Sequence, residues 1–194
     1  RLMSANRTEP ARPALAQAAV AAHGPRPATL GRWYAEAPAA VEADGARTWI
    51  TRGANFVVAC TEVLPGTELG RDANPDEWMA ILAPGTAATI EAGQDRVESE
   101  GDSLAILPPG PSRLVARTGG VVVRIFSSRA DDLAASASNA AAYADGAPEA
   151  APLEPWPEPV GGYRLRCYRL ADYNDPKLFG RLFRSTNLMV NCVE

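Results

Sequence analysis

The 194-residue chain contains a single histidine, His23, and this scarcity restricts its chemistry more than any other feature. One imidazole cannot build a multi-histidine metal site, and Ser-His-Asp or Cys-His nucleophile systems would all depend on that same side chain. His23 lies in a stretch rich in alanine, proline and arginine, where it is expected to be a solvated tail residue. The sequence therefore predicts no catalytic residue and no metal-binding residue.

Cysteine and long apolar runs are scarce as well. Cys60, Cys167 and Cys192 are far apart and form no CxxC pair, so neither a disulfide framework nor a zinc knuckle is expected. No apolar run approaches the roughly 20 residues of a membrane span, and no signal-peptide pattern opens the chain. These features predict a protein of the reducing cytoplasm, with Cys60 buried as a small apolar side chain.

The charge balance also argues against a nucleic-acid partner. There are 19 basic and 23 acidic residues, giving a net charge of −4, whereas nucleic-acid binding needs a basic face. No GxGxxG or GxxxxGK[ST] sequence is present to hold a phosphate group. We therefore expect neither a nucleic-acid nor a membrane partner. The length suits one domain, or one and a half.

Residues 46–128 carry short β-rich runs separated by glycine and proline turns. The runs are 48–51, 55–64, 77–83, 86–92, 103–107, 113–117 and 121–126. Strands of about five residues that recur every 8–12 residues indicate an antiparallel sandwich or barrel. No strand–helix alternation favours a parallel sheet. The weak alternation of residues 77–82 predicts a strand that is buried on both faces.

The remaining chain divides into three parts. Residues 1–45 are predicted to be an N-terminal arm and edge segment, and residues 129–162 an Ala/Pro-rich linker in which 131–144 could form one helix. Residues 163–194 are a strand-like C-terminal extension, with β-rich runs at 163–170 and 181–190.

The order of features between Pro65-Gly66 and Gly110 resembles the cupin superfamily, a small antiparallel β-barrel of the jelly-roll type. The first cupin motif has a glycine, two histidines one residue apart, a glutamate and a later glycine. The second has Gly-Asp, a short strand, Pro-x-Gly and a third histidine. The matching features here are Pro65-Gly66, Glu77, Gly85, Gly101-Asp102, Pro108-Pro109-Gly110 and Arg113. The resemblance implies an all-β, cupin-like jelly-roll barrel over residues 46–128.

The departures from the cupin pattern predict a barrel without a metal or other cofactor. The places of the three histidines hold Gly70, Asp72 or Asn74, and Arg113, so only Glu77 stands where a ligand is expected. The candidate residues for binding a small, anionic molecule are Asp72, Asn74, Glu77, Trp78 and Arg113. Arg113 could pair with such a ligand, pair with Glu77 inside the barrel, or lie in solvent at a strand end.

Residues 179–191 resemble the first strand of the second barrel in two-barrel (bicupin) proteins. This segment could begin a second module, in which case it would pair with the first barrel, swap into a neighbouring molecule or join a segment outside this chain. Alternatively, it could be a C-terminal strand that completes the first sheet. The sequence thus predicts a metal-free, cupin-like domain that acts as a dimerising or scaffold module, or as a small-molecule-binding module. Its partner would be a second copy or a second cupin module. The alternative is the degenerate half of a bicupin enzyme of dioxygenase, isomerase or decarboxylase type, whose metal site lies outside this chain. Whether the protein is an enzyme stays open.

Overall fold

The computed structural model describes residues 29–42, 44–148, 150–151, 157–175 and 180–193, so the predicted arm up to residue 28 lies outside it. The described strands are β1 (Ala40–Val41), β2 (Arg47–Arg52), β3 (Phe56–Val63), β4 (Glu68–Arg71), β5 (Trp78–Ala92), β6 (Asp95–Leu107), β7 (Ser112–Ala116), β8 (Gly120–Ser127), β9 (Arg166–Arg169), β10 (Arg181–Arg184) and β11 (Met189–Cys192). The helical elements are α1 (Asp131–Ala135) and two 3₁₀ turns, Ala140–Tyr143 and Leu170–Tyr173.

Every strand pairing described is antiparallel, which confirms the predicted all-β, cupin-like architecture. The nine-stranded sheet runs β1-β2-β3-β8-β5-β6-β9, and β7 joins β5 to β4. The first part of β5 pairs with β8 and its last part pairs with β7. Because β5 changes partners along its length, the sheet bends into two layers that enclose one apolar core.

The bend lies inside two long strands that the sequence predicts as shorter ones. Residues 77–83 and 86–92 were expected as separate strands, but β5 continues through Pro84-Gly85 with a register shift between Pro84 and Ala88. A bulge tolerates proline because the ladder is already interrupted there. In β6, Gly101 has φ +90°, and a Cβ at this position would lie 2.7 Å from the Ala83 carbonyl oxygen. Pro84-Gly85 and Gly101 therefore mark a bend within β5 and β6, and not turns between separate strands.

Side-chain alternation fills the barrel interior from both layers. The inward residues of β3, β5 and β8 are Val57, Ala59, Thr61, Val63, Trp78, Ala80, Leu82, Val122, Arg124 and Phe126. Trp78 stacks on Phe126 with ring centroids 4.9 Å apart. Met79 is also buried, but in a separate cluster, which confirms that the start of β5 is buried on both faces. Cys60 is buried, as predicted.

The C-terminal extension folds back onto the barrel. Strand β9 extends the sheet by pairing with β6, whereas β10 and β11 form a separate two-stranded hairpin. Residues 181–190 were expected as one run, but Ser185 closes a turn by bonding to the backbone of Leu188. Beneath the hairpin lies a second apolar cluster, which contains Met79, Leu104, Ile106, Leu170 and Phe183.

The segment after β8 contains a one-turn helix and a 3₁₀ turn, so the single helix expected over 131–144 is wrong. Ser136 bonds its hydroxyl to the Asp132 carbonyl, and the Asn139 amide bonds both backbone groups of Arg52. Such side-chain bonds compete with a continuing helix. Ala130, Ala134 and Ala137 pack into the barrel core. None of the helices described has the length and apolar character that crossing a membrane requires.

Candidate functional site

Two of the five predicted ligand-binding residues lie in the loop before β5. Asp72 is exposed. Asn74 is buried, and its amide accepts a hydrogen bond from Arg71 Nε at 3.2 Å and donates one to the Asp76 carbonyl at 2.7 Å. All the polar atoms of the Asn74 side chain are therefore engaged in holding the loop.

Glu77 lies on the outer side of the barrel wall, beneath the C-terminal hairpin. Its side chain is fully buried, with 0% exposure. One carboxylate oxygen accepts a hydrogen bond from Arg166 Nη2 at 2.6 Å. The other accepts bonds from the backbone N–H of Thr186 at 2.8 Å and from its hydroxyl at 3.0 Å. The carboxylate is thus bound entirely by the C-terminal extension.

Trp78 and Arg113 lie on opposite sides of the wall. Trp78 points into the core, where its Nε1 donates to the Ser112 hydroxyl at 3.2 Å. Arg113 is half exposed and pairs with Glu68 at 2.5 Å, so of the three alternatives it lies at the solvent-exposed strand end and does not pair with Glu77. The hydrogen bond to Glu68 raises the pKa of Arg113. The structure does not bring the five predicted residues together.

The residues of the interior do not fit the metal that the cupin resemblance would imply. Iron, manganese, nickel and zinc sites require imidazole, thiolate or carboxylate ligands, whereas the inward positions hold alanine, valine, threonine, aromatic side chains and one arginine. Within the described part of the chain, no three His, Cys, Asp or Glu residues are grouped so that they could hold a metal ion.

The interior does contain a polar group that the sequence analysis missed, Arg124 of β8. Its residue exposure is 7%, and its Nη2 donates to the Thr61 hydroxyl at 3.2 Å. Its Nε is buried without a hydrogen-bond partner among the described residues. Burial lowers the pKa of Arg124 to about 10, and the positive charge of Arg71 acts in the same direction. Alternation with Val122 and Phe126 was the signal for its inward position.

Arg71 stands nearby but is already neutralised. Its guanidinium forms two hydrogen bonds to Asp132 of α1, at 2.6 and 2.9 Å, and lies 5.6 Å from the centre of the Phe126 ring. These bonds lower the pKa of Asp132. The Arg71–Asp132 pair therefore ties α1 to the barrel, while Arg124 keeps no carboxylate partner in the described structure.

Several solved structures resemble this chain over about half its length. KdgF from Halomonas sp. is 18% identical, with 48% of this chain and 88% of that chain covered and a TM-score of 0.42. An RmlC-like cupin from Desulfovibrio desulfuricans is 12% identical, with 52% and 96% covered and a TM-score of 0.41. Salicylate 1,2-dioxygenase from Pseudoaminobacter salicylatoxidans is 16% identical, with 48% and 29% covered and a TM-score of 0.42.

Cupins are among the solved structures that this chain resembles, as the sequence analysis predicts. At these identities and TM-scores the likeness carries no argument about activity. No protein-family model matches the chain, and no curated protein matches it. Any function must therefore be argued from the residues themselves.

Proposed function

We propose that this protein is a metal-free scaffold module with no catalytic chemistry of its own, which holds a β-hairpin on the outside of its barrel and associates through it with a second copy of the chain. The observation that carries the proposal is the position of Glu77. In the cupin pattern this glutamate stands where a metal ligand is expected, but here its partners are Arg166 and Thr186.

The hydrogen bonds of Glu77 give its carboxylate a structural role. Both oxygens accept charge-assisted or backbone hydrogen bonds, and the side chain has no exposed surface. A metal ligand needs a free lone pair aimed into the barrel, whereas this side chain faces the hairpin. The ion pair with Arg166 ties Glu77 to β9, and the two hydrogen bonds from Thr186 hold the turn of the hairpin against the same carboxylate.

The far side of the hairpin exposes apolar side chains that lie beside Asn191 and Arg184, a mixed surface that could support association. Leu182 and Met189 are about two-thirds exposed, and Val193 is half exposed. Clustered exposed apolar side chains are unusual on a monomer and favour a protein contact. A rigidly held hairpin suits such a contact because little conformational freedom is lost when it binds.

Sedimentation velocity over a micromolar concentration series tests the proposal. We expect the wild-type chain to dimerise, and Leu182→Glu or Met189→Glu to shift it to monomer because each substitution places a charge in the apolar contact. Val160→Glu is the matched control, since Val160 is a fully exposed apolar residue outside the hairpin. A wild-type chain that stays monomeric throughout the series contradicts the proposed association.

The alternative, a metal-free half of a two-barrel enzyme, keeps the same barrel but assigns the hairpin to a second cupin module. Metal analysis of the purified chain separates both proposals from a metalloenzyme. Stoichiometric iron, manganese, nickel or zinc in the 194-residue protein would contradict the metal-free assignment.

A further inference from the structure

Arg124 occupies the centre of a cross-strand row in which its neighbours are small. Strand pairing places Ala59 of β3 on one side of it and Ala80 of β5 on the other. Ala105 of β6 follows Ala80 in the same row. Alanines therefore flank Arg124 across the strand ladder, while the larger Val122 and Phe126 precede and follow it on the same face of β8.

The polar groups around Arg124 form a set of donors without an anionic acceptor. Arg124 Nη2 donates to the Thr61 hydroxyl, which shares a 2.9 Å hydrogen bond with the Thr48 hydroxyl. Whichever threonine donates to the other, one hydroxyl proton of the pair is left over. The Arg124 Nε–H is unpartnered as well. Two donors and a full positive charge thus remain unmatched in this part of the described interior.

The acidic side chain whose charge acts on Arg124 is Glu42, which is exposed and makes no hydrogen bond to the guanidinium, and other acidic side chains are bound elsewhere. Asp132 pairs with Arg71, and Asp76 bonds both Ser127 and Arg129. Glu77, as shown above, faces the hairpin. A buried charge without a partner is strongly unfavourable, and buried charges in proteins are normally paired. Because no described carboxylate forms a hydrogen bond or an ion pair with Arg124, a bound anion would supply the counter-charge that the buried guanidinium requires.

We propose that the barrel interior binds a small carboxylate anion, of the size of formate or acetate, through the Arg124 guanidinium and the Thr48–Thr61 hydroxyl pair. The planar guanidinium fork matches the two oxygens of a carboxylate. The ligand is expected to be small because the neighbouring Trp78 and Phe126 are fully buried and stack on each other, which leaves no room for a larger molecule. This site is independent of the hairpin and of the proposed scaffold role.

Thermal denaturation of the wild-type chain in sodium acetate, sodium chloride and sodium phosphate at constant ionic strength tests the site directly. Acetate should raise Tm saturably, by about 3–6 °C when it is present at ten times its dissociation constant. Chloride and phosphate should not do so. An equal response to chloride, a response to phosphate only, or no saturable response to acetate would each overturn the proposal.

Two variants locate the effect. Arg124→Met should abolish the acetate response, and Arg113→Ala, which removes an exposed arginine, should retain it. If Arg124→Met fails to fold, Thr61→Val serves instead: it deletes the hydroxyl bonded to Arg124 and should weaken acetate binding at least about tenfold, a loss of roughly 1.4 kcal/mol. Acetate binding that both Arg124→Met and Thr61→Val leave unchanged would place the anion elsewhere.

Discussion

Replacing Glu77 by alanine is the sharpest perturbation of the interaction that holds the C-terminal hairpin. The substitution deletes three hydrogen bonds, at 2.6, 2.8 and 3.0 Å, and leaves the Arg166 guanidinium without its carboxylate. The apolar cluster beneath the hairpin is untouched. The experiment therefore isolates the polar contribution to docking.

The expected loss of stability follows from the burial of Glu77 and Arg166. Breaking a fully buried ion pair costs about 3–5 kcal/mol. Arg166 keeps 29% of its side chain exposed, so it regains water when Glu77 is removed. We therefore expect a loss of about 2–4 kcal/mol for Glu77→Ala. Glu77→Gln keeps one acceptor oxygen for Thr186 and should lose about 1–2 kcal/mol.

Native-state hydrogen exchange followed by mass spectrometry is the suitable assay, because the hairpin can open while the barrel stays folded. Only the two Thr186 bonds act on the hairpin, and at about 1.5 kcal/mol for each hydrogen bond to a charged group their loss accelerates exchange of the β10 and β11 amides by about 100-fold. The β3 and β8 amides should keep their protection. Urea unfolding measures the effect on global stability in parallel.

Glu68→Gln is the matched control, since it removes the carboxylate of an exposed ion pair with Arg113. Exposed pairs are screened by solvent, so this variant should exchange at wild-type rates. If Glu77→Ala also left the hairpin amides at wild-type rates, the glutamate would not hold the hairpin and the basis of the proposed scaffold role would be lost.

Two further predictions concern the barrel itself. Gly101→Ala should lower stability by more than about 2 kcal/mol in thermal unfolding, because it adds a clash with the Ala83 carbonyl to the strain of a positive φ; Gly93→Ala, at φ +60° with open space around it, should lose only about 1 kcal/mol. Burial raises the pKa of Cys60 from 9.0 to about 11, so its contribution to stability is complete below pH 9 and is lost as pH rises through 11. Urea titrations of wild type and Cys60→Ala between pH 8 and pH 11 measure this difference, and equal pH dependence in both would contradict it.

The residues typical of turns made the positions of most strands along the chain predictable from the sequence. Glycine and proline between apolar runs located β2, β3, β7 and β8 closely, because tight turns require these residues. The same signals misplaced the ends of β5 and β6. Pro84-Gly85 and Gly101 permit a bulge as readily as a turn, and only the pairing of β5 with both β8 and β7 decides between the two.

The site was less predictable because a shift of one residue reverses the face of a strand. The resemblance to the cupin pattern located Glu77 and Arg113 along the chain but not the side of the wall that each would face. Both lie outside the barrel, whereas the inward arginine is Arg124, in a run without a motif. The partners of Glu77, Arg166 and Thr186, lie 89 and 109 residues further along the chain, beyond the reach of local pattern analysis.

The buried positive charge of Arg124 makes the barrel interior unfavourable for a metal cation. A divalent cation about 6 Å from a guanidinium is repelled by about 5 kcal/mol at an effective dielectric constant of 20. Placing histidines at the positions of Asp72, Asn74 and Arg113 would not overcome this repulsion, and none of the three side chains is among those that fill the core. At the same distance this charge attracts a monovalent anion by about half as much. The buried arginine therefore disfavours a cation in the interior and supports the anion site proposed above.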